Sequence, residues 1–266
     1  MPMEFSFVSL SSGSSGNCYY LGNGIQGILV DAGISAKSIR NYFKDLKIPI
    51  HSIMGILVTH NHIDHIRGLE VLSRRNNIPV FTTQKIWQSI LTPDLKIPSD
   101  LIIEIQTKMR FHLAGFEIEA FPVCHDAPET IGFQISSEGK KFTIVTDLGH
   151  ICQTSASYIS SANLLVIESN YDKEMLLNGK YPQFLKARIH SDYGHLGNDQ
   201  ASSFLAEIIS EKLKIICLAH LSQNNNTPEL ALKTLCQTLS DKGIIPEDHP
   251  QILVLKRNGP TEMIRF

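Results

Sequence analysis

Three imidazoles and a carboxylate crowd into six residues at His60-Asn61-His62-Ile63-Asp64-His65. The apolar run Ile56-Leu57-Val58 leads into them, so they stand where a buried strand emerges. His60 and His62 are two apart. In extended chain such side chains project from one face, which lets both rings reach one ion. Asp64 and His65 are adjacent and fall where the chain turns toward a helix, so they point to a different place. That division suits two metals. Histidine and carboxylate are common zinc ligands, and a catalytic site keeps one coordination position open for water.

Other metal-capable side chains end other apolar runs. Asp31 closes Ile28-Leu29-Val30, His125 follows Phe121-Pro122-Val123-Cys124, Asp147 closes Thr143-Ile144-Val145-Thr146, and His220 closes Ile216-Cys217-Leu218-Ala219. Cys124 reads as a small buried residue, which leaves nitrogen and oxygen donors only. Such a set suits zinc, manganese or iron, and the sequence does not choose among them.

These residues meet only if several strands end at one edge. β-rich runs are expected at Glu4–Leu10, Asn17–Leu21, Gly27–Asp31 and Ile53–Thr59, with a helix over Ser35–Lys47 where Ile39, Phe43 and Leu46 recur at helical spacing. Short helices are expected at Gly68–Arg75 and Gln84–Leu91 around a strand at Val80–Thr82. Strands follow at Leu101–Gln106, Phe116–Val123, Thr130–Ile135, Phe142–Thr146 and Leu164–Glu168, with a hairpin turn over Ser136–Lys141. The remainder reads as helix over Tyr171–Ile189 broken at Gly179, helix Asn198–Lys212, strand Ile215–Ala219, helix Pro228–Ser240, and a terminal strand pair of Ile252–Leu255 with Glu262–Phe266. Strands alternating with helices give an α/β layered architecture. No repeat, low-complexity tract or Pro-rich linker interrupts residues 1–266, so one domain is expected.

Composition bounds the partners. The chain has 266 residues, 42% of them apolar, enough for a sizeable core. With 24 Lys+Arg against 26 Asp+Glu the net charge is -2, which excludes a uniformly basic nucleic-acid coat, so phosphate affinity has to come from a local patch or bound cations. No apolar run approaches the ~18 residues of a membrane span, and Met1–Gly16 lacks the features of a signal peptide. The five cysteines are scattered with no Cys-x-x-Cys pair, which points to a reduced cytoplasm.

Taken in order, the motifs resemble those of the metallo-β-lactamase fold superfamily, with its His-x-His-x-Asp-His signature and distant Asp, His, Asp and His residues. The resemblance implies a four-layer αββα sandwich of two mixed sheets with helices outside and the metal site at the sheet edge. It further implies that His60, His62 and His125 hold one ion, that Asp64, His65 and His220 hold a second, that Asp147 bridges them, and that Asp31 orients the histidine loop from behind. A finer match is to the YycJ/WalJ-like hydrolases. It is carried by Ser12-Gly13-Ser14-Ser15-Gly16-Asn17, Thr146-Asp147-Leu148-Gly149, Glu168-Ser169-Asn170-Tyr171-Asp172, Gly194-His195-Leu196 and His220-Leu221-Ser222-Gln223-Asn224-Asn225-Asn226. That match implies 5′ to 3′ exonucleolytic attack on DNA and a link to repair.

Two divalent ions against the carboxylates of Asp64 and Asp147 leave a positive cluster, which attracts phosphate, and a metal-bridging hydroxide is the expected nucleophile. Asp64, Asp147 and His195 are the candidate catalytic residues, His195 as a phosphate contact or a proton donor to the leaving oxygen. Ser14, Arg67, Arg188, Ser191 and His195 are candidate substrate contacts, the turn around Ser14 through its backbone N–H groups. Other expectations on this framework are a small-molecule phosphodiesterase of the cyclic-nucleotide type and a glyoxalase-II-like thioester hydrolase. The latter calls for a basic C-terminal helical region, whereas Pro228–Ser240 offers only Lys233.

Overall fold

The protein is described by a computed structural model over residues 5–91, 95–244 and 250–266. Glu4, the expected start of the first strand, lies outside the described residues.

The first half lays down β1 (Ser6–Ser11), β2 (Cys18–Gly22), β3 (Gly27–Val30), α1 (Ala36–Asp45), β4 (Ile53–Leu57), α2 (Ile63–Ile66), α3 (Leu69–Asn76), β5 (Val80–Thr82), α4 (Gln84–Ile90) and β6 (Ile102–Glu104). The second half supplies β7 (Arg110–Leu113), β8 (Phe116–Val123), β9 (Thr130–Ser137), β10 (Lys140–Val145), α5 (Gln153–Ser160), β11 (Leu164–Glu168), α6 (Lys173–Asn178), α7 (Gln183–Ile189), α8 (Asn198–Ile208), β12 (Ile215–Ala219), α9 (Pro228–Asp241), β13 (Gln251–Val254) and β14 (Ile264–Arg265). Among the described residues these strands form two seven-stranded mixed sheets, ordered β14-β1-β2-β3-β4-β5-β6 and β13-β12-β11-β10-β9-β8-β7.

Side-chain alternation shows how the layers stack. In β11, Leu164 and Val166 enter the core shared by both sheets, whereas Leu165 and Ile167 enter a second core with Leu205 of α8 and Leu235 and Leu239 of α9. β12 repeats the pattern, with Ile215 and Cys217 inward and Ile216 and Leu218 outward. Successive Cβ atoms of a strand point to opposite faces, so a strand covered on both sides must be apolar throughout. Phe7 of β1 meets Phe142 of β10 across the sandwich with ring centroids 5.1 Å apart. Ile39 and Phe43, one helical turn apart on α1, bury against the outer face of the first sheet, where the Phe43 ring meets Tyr20 of β2 edge-on. The result is the expected αββα sandwich.

Two expectations need correction. The strands near residues 252 and 264 do not pair with each other. β13 runs parallel to β12 in the second sheet, while β14 lies antiparallel on β1 in the first, Phe7 opposite Ile264. The connection between them therefore crosses from one sheet to the other. The helix from Asn198 stops at Ile208, four residues before the expected Lys212, where Ile209 leaves helical geometry. The break at Gly179 holds and separates α6 from α7. No helix among the described residues is long and apolar enough to cross a membrane.

Candidate metal centre

The loops that carry the candidate residues meet at one edge of the sandwich, most of them following a buried strand. Three of the strand ends leave the ordinary backbone regions: Asp31 after β3, Asp147 after β10 and His220 after β12 have φ of 60°, 58° and 54°. A left-handed turn of this kind is uncommon for residues other than glycine and costs about 1–2 kcal/mol. It swings the side chains of Asp147 and His220 into the ligand groups and that of Asp31 behind the histidine loop.

The ligand-type atoms fall into overlapping groups, each within 4.8 Å of one another. His60, His62 and His125 form one group, Asp64, His65 and His220 a second, and Asp147 joins His60 and His65 between them. The groups are able to hold metal, and the buried atoms fit that role. Nε2 of His60, His125 and His220 is buried with no hydrogen-bond partner. A buried, unpaired ring nitrogen costs free energy unless a ligand completes it.

The other ring nitrogens explain why Nε2 is the free atom. His65 Nδ1 donates to Asp31 Oδ2 at 2.7 Å, His125 Nδ1 to the Gly194 carbonyl at 2.9 Å, and His220 Nδ1 to Glu168 Oε1 at 2.7 Å. His60 Nδ1 lies 3.0 Å from Thr59 Oγ1, whose hydroxyl donates to Asp31 Oδ2 at 2.9 Å. With the proton held on Nδ1, the Nε2 lone pair faces the cleft. The carboxylate of Asp31 thus lies behind the histidine loop, as expected, and also accepts from the Thr59 amide at 2.9 Å.

Charge in the cluster is strongly coupled to burial. Burial pushes His60 well below the ordinary histidine range. Burial opposes charge on His65 too, but Asp147 and Asp31 outweigh it and raise this ring to about 10; His220 is raised as well, against its burial, by Asp147, Asp64 and Glu168. Asp147 is depressed well below the carboxylate range by His220 and His65, although its burial acts in the opposite sense. The carboxylates therefore demand positive charge in this cleft. Protons on His65 and His220 supply it in the ion-free protein, and a divalent cation answers the same demand.

Glu168 is the residue that sequence reasoning left without a role. It is fully buried at the end of β11, and its Oε1 accepts from Nδ1 of both His220, at 2.7 Å, and His195, at 2.8 Å. Its Oε2 accepts from the amides of Leu148 and Leu196 at 2.9 and 3.2 Å. Burial disfavours its charge, yet His195 and His220 bring its pKa down to about 2. The signal was present: Leu164–Glu168 is another apolar strand ending in an acid.

Asn17, expected to end a turn and begin a strand, also acts at the cluster. Its amide donates to the Asp64 carbonyl at 2.7 Å, and its Nδ2 lies 3.0 Å from His65 Nε2. Gly33 permits this approach, since an added Cβ would sit 1.6 Å from the Asp64 oxygen.

The candidate substrate contacts fare differently. His195 is at the cluster, its ring centroid 5.1 Å from that of His125 and 5.3 Å from that of His220. Arg188 donates to Asp126, whose Oδ1 is 3.3 Å from His125 Nε2, so it also stands beside the ligands. Ser191 Oγ donates to the Arg188 carbonyl at 2.8 Å. Ser14 and Arg67 are exposed. In the turn around Ser14 the amides of Gly13, Gly16 and Asn17 are engaged by Asn17 Oδ1, the Gly13 carbonyl and the Asp64 carbonyl. Its Ser12 hydroxyl instead accepts from the His220 amide at 2.9 Å and so braces a ligand loop.

A two-sheet sandwich with this histidine and carboxylate cluster at its edge defines a metallo-β-lactamase-fold hydrolase. Residues 26–217 match the family described as the beta-lactamase superfamily domain, and the chain belongs to that family. It is 40% identical to "Exodeoxyribonuclease YycJ" of Bacillus anthracis, over 91% of both chains. It is also 35% identical to "Exodeoxyribonuclease WalJ" of Streptococcus pneumoniae, over 89% of this chain and 88% of that one. Among solved structures the metallo-beta-lactamase fold protein YhfI from Bacillus subtilis superposes with a TM-score of 0.72 at 16% identity, covering 99% of each chain, a likeness of fold.

Proposed function

We propose that this chain, as a single domain, is a dimetal-dependent phosphodiesterase that shortens DNA from its 5′ end in the 5′ to 3′ direction. The observation that carries the reading is the pair of ligand groups meeting at Asp147, with the Nε2 atoms of His60, His125 and His220 buried and unbonded. The names of the two relatives over nine-tenths of the chain supply the substrate class.

In this reading His60, His62 and His125 hold one ion, Asp64, His65 and His220 the other, and Asp147 serves both. Zinc, manganese or iron all suit nitrogen and oxygen donors. When bound, the ions supply Lewis acidity toward the phosphate and lower the pKa of water. The protein does the rest. Asp31, Glu168 and the Gly194 carbonyl keep Nδ1 of three ligand histidines protonated and so aim Nε2 into the cleft. His195 is partly exposed and its Nδ1 is held by Glu168, which leaves Nε2 to hand a proton to the leaving 3′ oxygen. Arg188, Ser14, Arg67 and Ser191 remain candidate contacts for the strand, with Arg188 best placed. The free cysteines, two of them buried, support a reducing, cytoplasmic setting, and repair of DNA ends is the process such an activity would serve.

The test is digestion of matched 5′-ended DNA, RNA and cyclic nucleotides by protein loaded with Mn²⁺ or Zn²⁺. DNA should be shortened, and His62→Ala and Asp147→Ala should abolish this. Cleavage confined to cyclic nucleotides or bis(p-nitrophenyl) phosphate would overturn the DNA reading in favour of a small-molecule phosphodiesterase, and cleavage confined to thioesters would overturn both.

A further inference from the structure

Two exposed aromatic side chains and one exposed cation lie on α7 and the segment that follows it toward His195. Phe184 is 76% exposed and Tyr193 60% exposed, and between them the Arg188 side chain is 56% exposed. Phe184 and Arg188 are four residues apart on α7, so they share a helix face. Arg188 donates to Asp126, which borders His125, and this face therefore begins at the ligands. Tyr193 stands two residues before His195, its ring perpendicular to that of His150 at 6.5 Å.

We infer that Phe184, Arg188 and Tyr193 form the docking surface for the single-stranded end of a nucleic acid, the rings stacking on bases and Arg188 leaving Asp126 for a backbone phosphate. The inference rests on the nuclease reading above. Charge complementarity chooses the occupant. The guanidinium offers a planar fork matched to phosphate, and Asp126 stands in for that anion while the surface is empty. The order along the chain, ring then cation then ring, matches the alternation of base and phosphate along a strand. Stacking on aromatic side chains is tolerant of sequence, as an end-processing enzyme requires.

The experiment uses the intact chain and a single-stranded oligonucleotide with 2-aminopurine near its 5′ end. The wild-type protein should quench the probe on binding. Phe184→Ala and Tyr193→Ala should each weaken binding by about fivefold to a hundredfold, and Phe184→Trp should restore it. In turnover assays the alanine variants should lose specificity for the oligonucleotide relative to bis(p-nitrophenyl) phosphate through KM. Binding that ignores both rings while DNA is still shortened would overturn the surface and leave the exonuclease reading intact. Ring-dependent binding without any cleavage would uphold the surface and overturn the exonuclease. Self-association abolished by Phe184→Ala, with oligonucleotide binding unchanged, would assign the rings to a second copy and overturn the inference.

Discussion

Asp31 Oδ2 stands 2.7 Å from Nδ1 of His65, and both side chains are completely buried. The pair locks the ring so that its other nitrogen lies 3.1 Å from Asp147 and 3.7 Å from Asp64. Asp31→Asn keeps an oxygen for the Thr59 amide but loses the charge behind the ring. On the proposed reading, affinity for an ion held by Asp64, His65 and His220 should fall about 10- to 100-fold, with circular dichroism unchanged. Metal content measured after graded chelation checks this, and two ions retained as firmly as in the wild type would contradict it.

Glu168 separates support from chemistry. Glu168→Gln retains an acceptor for the Leu148 and Leu196 amides, so melting should shift little while activity drops about 10- to 100-fold. Glu168→Ala strands both buried N–H groups, each at about 1–3 kcal/mol, and should melt far earlier. Equal melting of the two variants would show that the amides do not depend on this carboxylate.

The ion-free protein should weaken as pH rises. His65 is held at about 10 against an ordinary 6.5, so its folded-state pKa lies above its unfolded value. The stability this contributes is complete below pH 6.5 and disappears as pH climbs toward 10. An ion entering the site must displace the same proton, so its apparent affinity should increase over that window, by about tenfold per pH unit for each proton displaced. Melting of chelator-stripped protein and zinc titrations at several pH values measure the two slopes. A stripped protein that gains stability from pH 7 to 9 would refute the assignment.

At Asp147 the backbone and the side chain want different things. Its φ of 58° suits glycine, so Asp147→Gly should melt higher than Asp147→Ala by a margin worth about 1 kcal/mol, although both are inactive. A higher melting point for the alanine variant would mean that the loop relaxes out of the left-handed region.

Much of this centre was legible because its parts obey one local rule, an apolar strand ending in a metal-capable side chain. His60, His62, His125, Asp147 and His220 all follow it, and the structure brings them together. Glu168 obeys it too, but its carboxylate touches the His195 and His220 rings from behind, a role the pattern alone does not reveal. Asn17 gave no such signal, because its role depends on the close approach of Gly33 to Asp64. The short strand β7 and helix α5 escaped notice, as Arg110–Leu113 is half exposed and Gln153–Ser160 lacks a strong apolar stripe. The destination of the last two strands lay beyond local pattern, because partner choice between two sheets depends on contacts distant in the chain.

Those last strands also order events in time. With β14 laid on β1, Phe7 must wait for Ile264 before the first sheet is whole. A chain emerging from the ribosome therefore carries that sheet edge open until β14 has been made. The ligands draw on both halves, His60 and His62 early, Asp147 and His220 late. On the proposed reading, a metal centre drawn from both halves would be complete only after β12 has docked.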